Sequence, residues 1–201
     1  MKKKNLLYVS ALCACMSFSF MGCSDDDDKQ EIPSLPEQIS LNGVYVLNSG
    51  NKGNNNSSLS FYDFETKKVE ADIFKKVNGR GLGDTANDIL VYGSKAYIAV
   101  TNSNTIEVID LQGKSLKQIV SDGDPLQPRF FSCYNGKVYV SLYGGYVARL
   151  DTTSLTIESK VKVGRNPEQM AIANNKLYVA NSGGADFNTA VGYDKTVSVV
   201  D

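Results

Sequence analysis

The chain has 201 residues and a formal net charge of −1, from 21 Lys and Arg against 22 Asp and Glu, with no histidine and no tryptophan. Without histidine it has no Ser-His or Cys-His nucleophile pair, none of the usual zinc ligand sets and no histidine ligand for haem. A chain so evenly charged also lacks the basic stripe that nucleic acid requires, so no nucleic-acid partner is expected.

Lys2-Lys3-Lys4 precede an apolar, serine-containing stretch from Leu6 to Met21, followed by Gly22-Cys23. A basic start and a run too short to span a bilayer read as a secretory signal over residues 1–22. Phe20-Met21-Gly22-Cys23 resembles a lipobox, with Met21 where a smaller residue is usual, which makes Cys23 the candidate lipidation site. Ser24-Asp25-Asp26-Asp27-Asp28 repels itself and stays solvated, and Pro33 and Pro36 stiffen the segment after it, so residues 23–38 read as a tether. The acidic run looks like the export signal of surface lipoproteins in gut Bacteroidota. The folded body then spans residues 39–201. Without residues 1–22 and Asp25 to Asp28 the chain carries 18 basic and 18 acidic residues. Cys13, Cys15 and Cys23 belong to the leader, so Cys133 is the body's lone cysteine; no internal disulfide can form, and its apolar surroundings make it core.

Within the body one phrase returns four times: a strand centred on tyrosine, a polar loop, and a strand ending in aspartate. The tyrosines are Tyr45, Tyr97, Tyr139 and Tyr178, and the aspartates Asp63, Asp110, Asp151 and Asp201. The tyrosine spacings are 52, 42 and 39 residues. An all-strand repeat of about 40 residues predicts propeller blades, because one small sheet cannot bury both faces and must stack on its neighbours. The fold class is therefore all-β, a β-propeller of four-stranded antiparallel blades. In the third blade the strands are expected near 129–134, 137–142, 146–151 and 156–163, with Asn135-Gly136 as a hairpin turn. No helical period is visible in the body, and Gly79-Arg80-Gly81-Leu82-Gly83-Asp84 reads as a linker between blades. Four blades ending on Asp201 predict the N-terminal part of a larger propeller, one that leaves apolar faces open on its first and last blades.

Asp84, Asp88, Asp124 and Glu168 are the carboxylates that a hydrolytic channel could use, but no spacing singles out a pair. Carboxylates and amides around such a channel are ligands that calcium accepts, yet nothing marks a site; no catalytic residue, metal or cofactor is expected. What remains is a binding face. Loops before the inner strands supply Asn87, Arg129, Arg165, Asn166 and Glu168. Loops between second and third strands supply Asn48, Asn102, Asn104, Tyr143, Tyr146, Asn181, Phe187 and Tyr193. Amides that both donate and accept, with tyrosines flat and polar-tipped, suit a large neutral ligand rich in amides or hydroxyls. Each of these residues also serves well as a turn-former or cross-blade contact.

Lys-Val-Tyr-Val at 137–140, Lys-Leu-Tyr-Val-Ala-Asn-Ser-Gly-Gly at 176–184 and Arg165-Asn166-Pro167-Glu168 resemble YncE-like seven-bladed propellers. With the lipobox and acidic tether, the chain is similar to surface propeller lipoproteins of gut Bacteroidota. That resemblance implies seven blades, a lipid anchor in the outer membrane with the propeller outside the cell, and capture of cobalamin for a TonB-dependent transporter. A glycan-binding module using Tyr143, Tyr146 and Tyr193, a calcium-dependent hydrolase and a protein-docking platform are the alternatives.

Overall fold

Residues 96–100 and 105–109 are buried without alternation, as strands covered on both faces by stacked sheets must be, and four small sheets follow one another in chain order. The structure, a computed structural model, describes residues 42–121 and 123–201. The signal segment, Cys23 and the 23–38 tether lie outside the described residues. Blade 1 contains β1 (Gly43–Asn48), β2 (Ser58–Asp63) and β3 (Val69–Glu70), followed by helix α1 (Ile73–Asn78). Blade 2 contains β4 (Ala86–Tyr92), β5 (Lys95–Val100), β6 (Thr105–Asp110) and β7 (Ser115–Ile119). Blade 3 contains β8 (Pro128–Tyr134), β9 (Lys137–Leu142), β10 (Tyr146–Asp151) and β11 (Thr156–Lys162). Blade 4 contains β12 (Pro167–Ala173), β13 (Lys176–Asn181) and β14 (Thr196–Val200).

Every sheet is an antiparallel meander, as the repeat predicts. Blades 2 and 3 have four strands, whereas blades 1 and 4 show three among the described residues. The reason lies in register: Tyr45 sits on the first strand of its sheet, while Tyr97, Tyr139 and Tyr178 sit on the second of theirs. Blade 1 thus shows no strand inside β1, and blade 4 none outside β14, among the described residues. The hairpin turns follow the sequence closely. Asn135 and Gly136 have φ of 47° and 78°, and Asn174 and Asn175 have 49° and 61°, the paired positive angles of a type I′ turn.

The aspartate that ends each of the first three phrases has a structural job. Asp63 Oδ1 accepts the backbone N–H groups of Glu65 and Thr66, Asp110 Oδ1 those of Gln112 and Lys114, and Asp151 Oδ1 those of Thr153 and Ser154. Each closes the turn that leads into the outermost strand of its blade by offering the backbone an acceptor two to four residues back. The Thr66 N–H holds the Asp63 carboxyl below its ordinary value, and the Ser154 N–H, with Lys137 behind it, does the same for Asp151. Folded-state values that are depressed give stability that is present above the ordinary carboxylate range and lost as pH falls through the folded values. The melting temperature is therefore expected to fall between roughly pH 5 and roughly pH 2. An Asp63→Asn, Asp151→Asn double variant should start lower and decline less over that interval; parallel declines would refute this account.

Three apolar layers lie between the blades. Leu59, Phe74, Leu82, Ile98 and Ile109 fill the first, Tyr97, Ile106, Val108, Val138, Val140 and Leu150 the second, and Val147, Leu177 and Val179 the third. Cys133 is half-buried against the second layer, as its apolar context predicts.

Helix α1 corrects the all-strand reading of the body. Six residues are under two turns, too short for a 3.6-residue period to show. Its ends are nonetheless well specified: Asp72 accepts the Lys75 N–H at the start, and Gly79, at φ 67°, closes the last turn. Phe74 on this helix is fully buried. The segment after it is more than a linker, because Leu82 is core and Arg80 reaches across to Glu107, whose side chain is fully buried.

Candidate ligand-binding site

A recurring irregularity builds the site. Each inner strand slips register near its start, between Ala86 and Asp88, between Pro128 and Phe131, and between Pro167 and Met170. A bulge turns side chains out of the ladder and re-aims them. The residues at these bulges are Asn87, Arg129 and Glu168, and they link blade to blade. Asn87 Nδ2 donates to the Arg129 carbonyl at 2.7 Å, and Arg129 Nε donates to Glu168 Oε2 at 3.0 Å. The two loop sets expected on one side do meet: Asn102 N–H bonds to the Asp84 carbonyl, Tyr143 N–H to that of Gln127, and Ser182 N–H to that of Asn166.

Most of the candidate amides are engaged in this framework. Asn48 donates to Ser58 and Ser60, Asn102 to Thr85, and Asn104 accepts the Gln127 N–H. Asn166 donates to the Tyr143 carbonyl and accepts the Ala185 N–H. Asn181 is buried, donating to Thr196 and Ser198, and its Oδ1 has no partner among the described residues. Tyr146 opens β10 opposite Leu142, on the face turned toward blade 2, and so stands apart from the other candidates.

Open to a ligand is the junction of blades 3 and 4. A cleft of about 250 Å³ is lined by Tyr143, Lys162, Arg165, Asn166, Asp186 and Asp194. The Arg129 guanidinium lies 4.8 Å from the centre of the Tyr143 ring. Burial, and then the neighbouring Glu168, push the Tyr143 phenol above its ordinary value, so it stays neutral. Arg165 pairs with Asp186 and also donates to the Gly192 carbonyl. The Arg165 backbone N–H, and then Thr196, hold the Asp194 carboxyl low and ionised. Two cations, Lys162 and Arg165, thus face two anions, Asp186 and Asp194, in the lining. Beside Asp186 and Asp194 in the chain stand Phe187 and Tyr193, 56% and 59% exposed, with ring centres 6.5 Å apart and planes 21° from parallel.

Ser182, Asp186 and Asp194 escaped residue-level reading, although one signal pointed there. Residues 182–195 separate β13 from β14, whereas residues 101–104 and 143–145 suffice in blades 2 and 3. The candidate carboxylates are occupied or apart: Asp84 accepts from Gly53 and Thr85, Asp88 from the Phe131 N–H, and Glu168 from Arg129. Asp124 lines a groove between the outer strands β7 and β11 instead. Among the described residues no three His, Cys, Asp or Glu side chains converge as a metal cluster.

Solved structures share the fold. The hydrazine synthase of Kuenenia stuttgartiensis matches 72% of this chain at 19% identity with a TM-score of 0.57, and this chain spans 40% of that one. The computationally designed Ika4 protein matches 80% at 12% identity and TM-score 0.57, with 86% of its own chain covered. A luciferin-regenerating enzyme matches 80% at 16% identity and TM-score 0.55, with 58% of its chain covered. At such identities the likeness is one of fold alone. No curated protein matches the chain. Residues 42–194 do match the family model described as "Domain of unknown function (DUF5074)", and the chain belongs to that family.

Proposed function

We propose that the chain captures an uncharged, amide-fringed ligand of the corrinoid class at the junction of blades 3 and 4 and passes it, at the outer-membrane surface, to a TonB-dependent transporter. The observation that carries this reading is the Phe187–Tyr193 pair, two exposed and nearly parallel rings beside a cleft with equal numbers of charges of each sign. Exposed aromatic faces offer a large apolar contact to a flat ligand, and a charge-balanced lining gives no advantage to an anion. Cobalamin brings its own lower axial base, so a histidine-free protein can hold it by shape and hydrogen bonds. The engaged carboxylates support binding without catalysis, and the Cys23 lipid site with its acidic tether supports a place on the outer membrane.

Equilibrium dialysis against cyanocobalamin tests the reading. Saturable binding is expected, and Phe187→Ala and Tyr193→Ala should each weaken it about five- to tenfold, the worth of one aromatic face. A folded protein that leaves the dye evenly distributed across the membrane would sink it. The same near-parallel rings also favour a second reading, a platform for sugar rings. Retarded migration in polysaccharide affinity gels, abolished by Tyr193→Ala, would support that reading, and free migration across a broad panel would remove it.

A further inference from the structure

Three residues beyond the repeat tyrosine lies a position that blades 2 and 3 fill with Val100 and Leu142, 0% and 3% exposed, on the face turned to the blade before. Blade 4 fills it with Asn181, 4% exposed and on the same face as the core residue Val179. An apolar side chain therefore satisfies the fold here. The amide is instead buried with its Oδ1 unpartnered among the described residues, an arrangement that costs stability. Blade 1 carries Asn48 at this position, bonded to Ser58 and Ser60, and among the described residues its network ends at those two hydroxyls.

In blade 4 the network runs on into the cleft. Thr196 Oγ1 donates its one hydrogen to Asp194 Oδ1 at 2.7 Å, so any further bond to the Thr196 oxygen has to come from a donor. Asn181 Nδ2 is that donor, at 3.0 Å, and it also donates to Ser198 Oγ at 3.0 Å. Ser198 Oγ in turn accepts the Gly164 N–H. Asp194 Oδ2 accepts the Arg165 N–H, and the Asp194 N–H reaches the Ser182 carbonyl. Gly164 and Arg165 in the cleft lining, and the returning arm of the 182–195 loop, thus depend on two hydroxyls that one buried amide fixes. The amide lies directly against the lining, since a Cβ on Gly164 would stand 2.4 Å from Asn181 Cγ.

We propose that Asn181 is the positioning residue of the blade 3–4 cleft, a polar side chain at a core position that holds Asp194 and Gly164 in place for the ligand. The proposal rests on that cleft being the binding site, while its effect on the loop needs no ligand.

Asn181→Val in the full chain gives blade 4 the residue of blade 2 and separates the two roles. The urea midpoint should hold or rise, because the unpartnered amide is gone. Limited proteolysis between Gly184 and Gly192 should quicken about fivefold, the order of one lost hydrogen bond, and cyanocobalamin affinity should fall by a similar factor. Thr196→Val removes the next link and should quicken cleavage alike. The double variant should be cleaved no faster than either single one, because both cut the same path. A lower urea midpoint with an unchanged loop, or cleavage that only follows global unfolding, would make Asn181 an ordinary core residue and overturn the proposal. Additive cleavage in the double variant would overturn it too. A loop that loosens as expected in a protein whose wild type never binds cyanocobalamin would sink the corrinoid reading and support the positioning role.

Discussion

Arg80→Ala is expected to destabilise the fold by about 3 kcal/mol, the order seen when one partner of a buried ion pair is removed and the other charge is left in the interior. Glu107 has a side chain with no exposure, on β6 in the middle strands of blade 2, and Arg80 Nη2 donates to its Oε1 at 2.8 Å. Ser115 and Gln118 donate to the same carboxylate. Without Arg80 these two neutral donors cannot balance a full negative charge. Arg80 also lies 4.8 Å from the centre of the Phe74 ring, so alanine removes a packing face of α1. The control is Glu107→Gln, which removes the charge and keeps most of the hydrogen-bonding shape. In the Arg80→Ala background it should restore at least half of the lost stability. Urea unfolding of the wild type, both single variants and the double variant measures the coupling. Simple additivity would show that the ion pair carries none of it.

Gly183→Ala is expected to dismantle the proposed ligand-binding junction. Gly183 has φ of 59°, and a Cβ there would stand 2.2 Å from the Asp194 backbone nitrogen, a contact that backbone cannot yield to easily. Gly183 N–H bonds to the Arg165 carbonyl, and Asp194 Oδ2 accepts the Arg165 N–H. The two arms of the 182–195 loop therefore close on Arg165 from both sides, and the added methyl pushes them apart. Left-handed backbone alone costs an alanine about 1–2 kcal/mol. The larger effect falls on Phe187 and Tyr193, whose placement depends on that closure; ligand binding should weaken on the order of a hundredfold, since two aromatic contacts are lost together. Limited proteolysis reports the loop independently of any ligand, with cleavage between Gly184 and Gly192 rising sharply. Gly93→Ala is the comparison, because Gly93 has φ of 62° but an open space around it. It should incur the backbone strain and leave both binding and loop cleavage unchanged. Equal proteolysis of wild type and Gly183→Ala would show that the loop is held by something else.

Cross-blade pairing explains why the site was only half legible in the sequence. Asn87, Arg129 and Glu168 were candidates because they precede or open the inner strands, and the bulges there do turn them toward neighbouring blades. Their partners were invisible, since Arg129 and Glu168 lie 39 positions apart and no local pattern connects them. Separations of 15 to 23 positions hid the fate of the asparagines in the same way. Read as a row of free amides, Asn102, Asn104, Asn166 and Asn181 turn out to satisfy backbone and hydroxyl groups that the blade junctions would otherwise leave unpaired. Phe187 and Tyr193 were both candidates as aromatics of the loop between β13 and β14, but their near-parallel pairing was not legible.

By itself the sequence determined the blades and the hairpin turns, because a tyrosine-centred phrase that returns every 39 to 52 residues and paired Asn and Gly residues are written along the chain, and the aspartates that end the phrases were in view although their turn-closing bonds were not. It also placed the two sets of candidate loops on one side, since alternating strand directions leave no other arrangement. Tertiary structure alone decided that Arg80 would neutralise a carboxylate 27 positions away. It also decided that most of the amides would become framework and that charge at the blade 3–4 junction would balance. Those outcomes depend on which side chains stacking brings within 3 Å of one another, and stacking is set by the buried faces of the sheets, not by the polar residues that their packing happens to bring together.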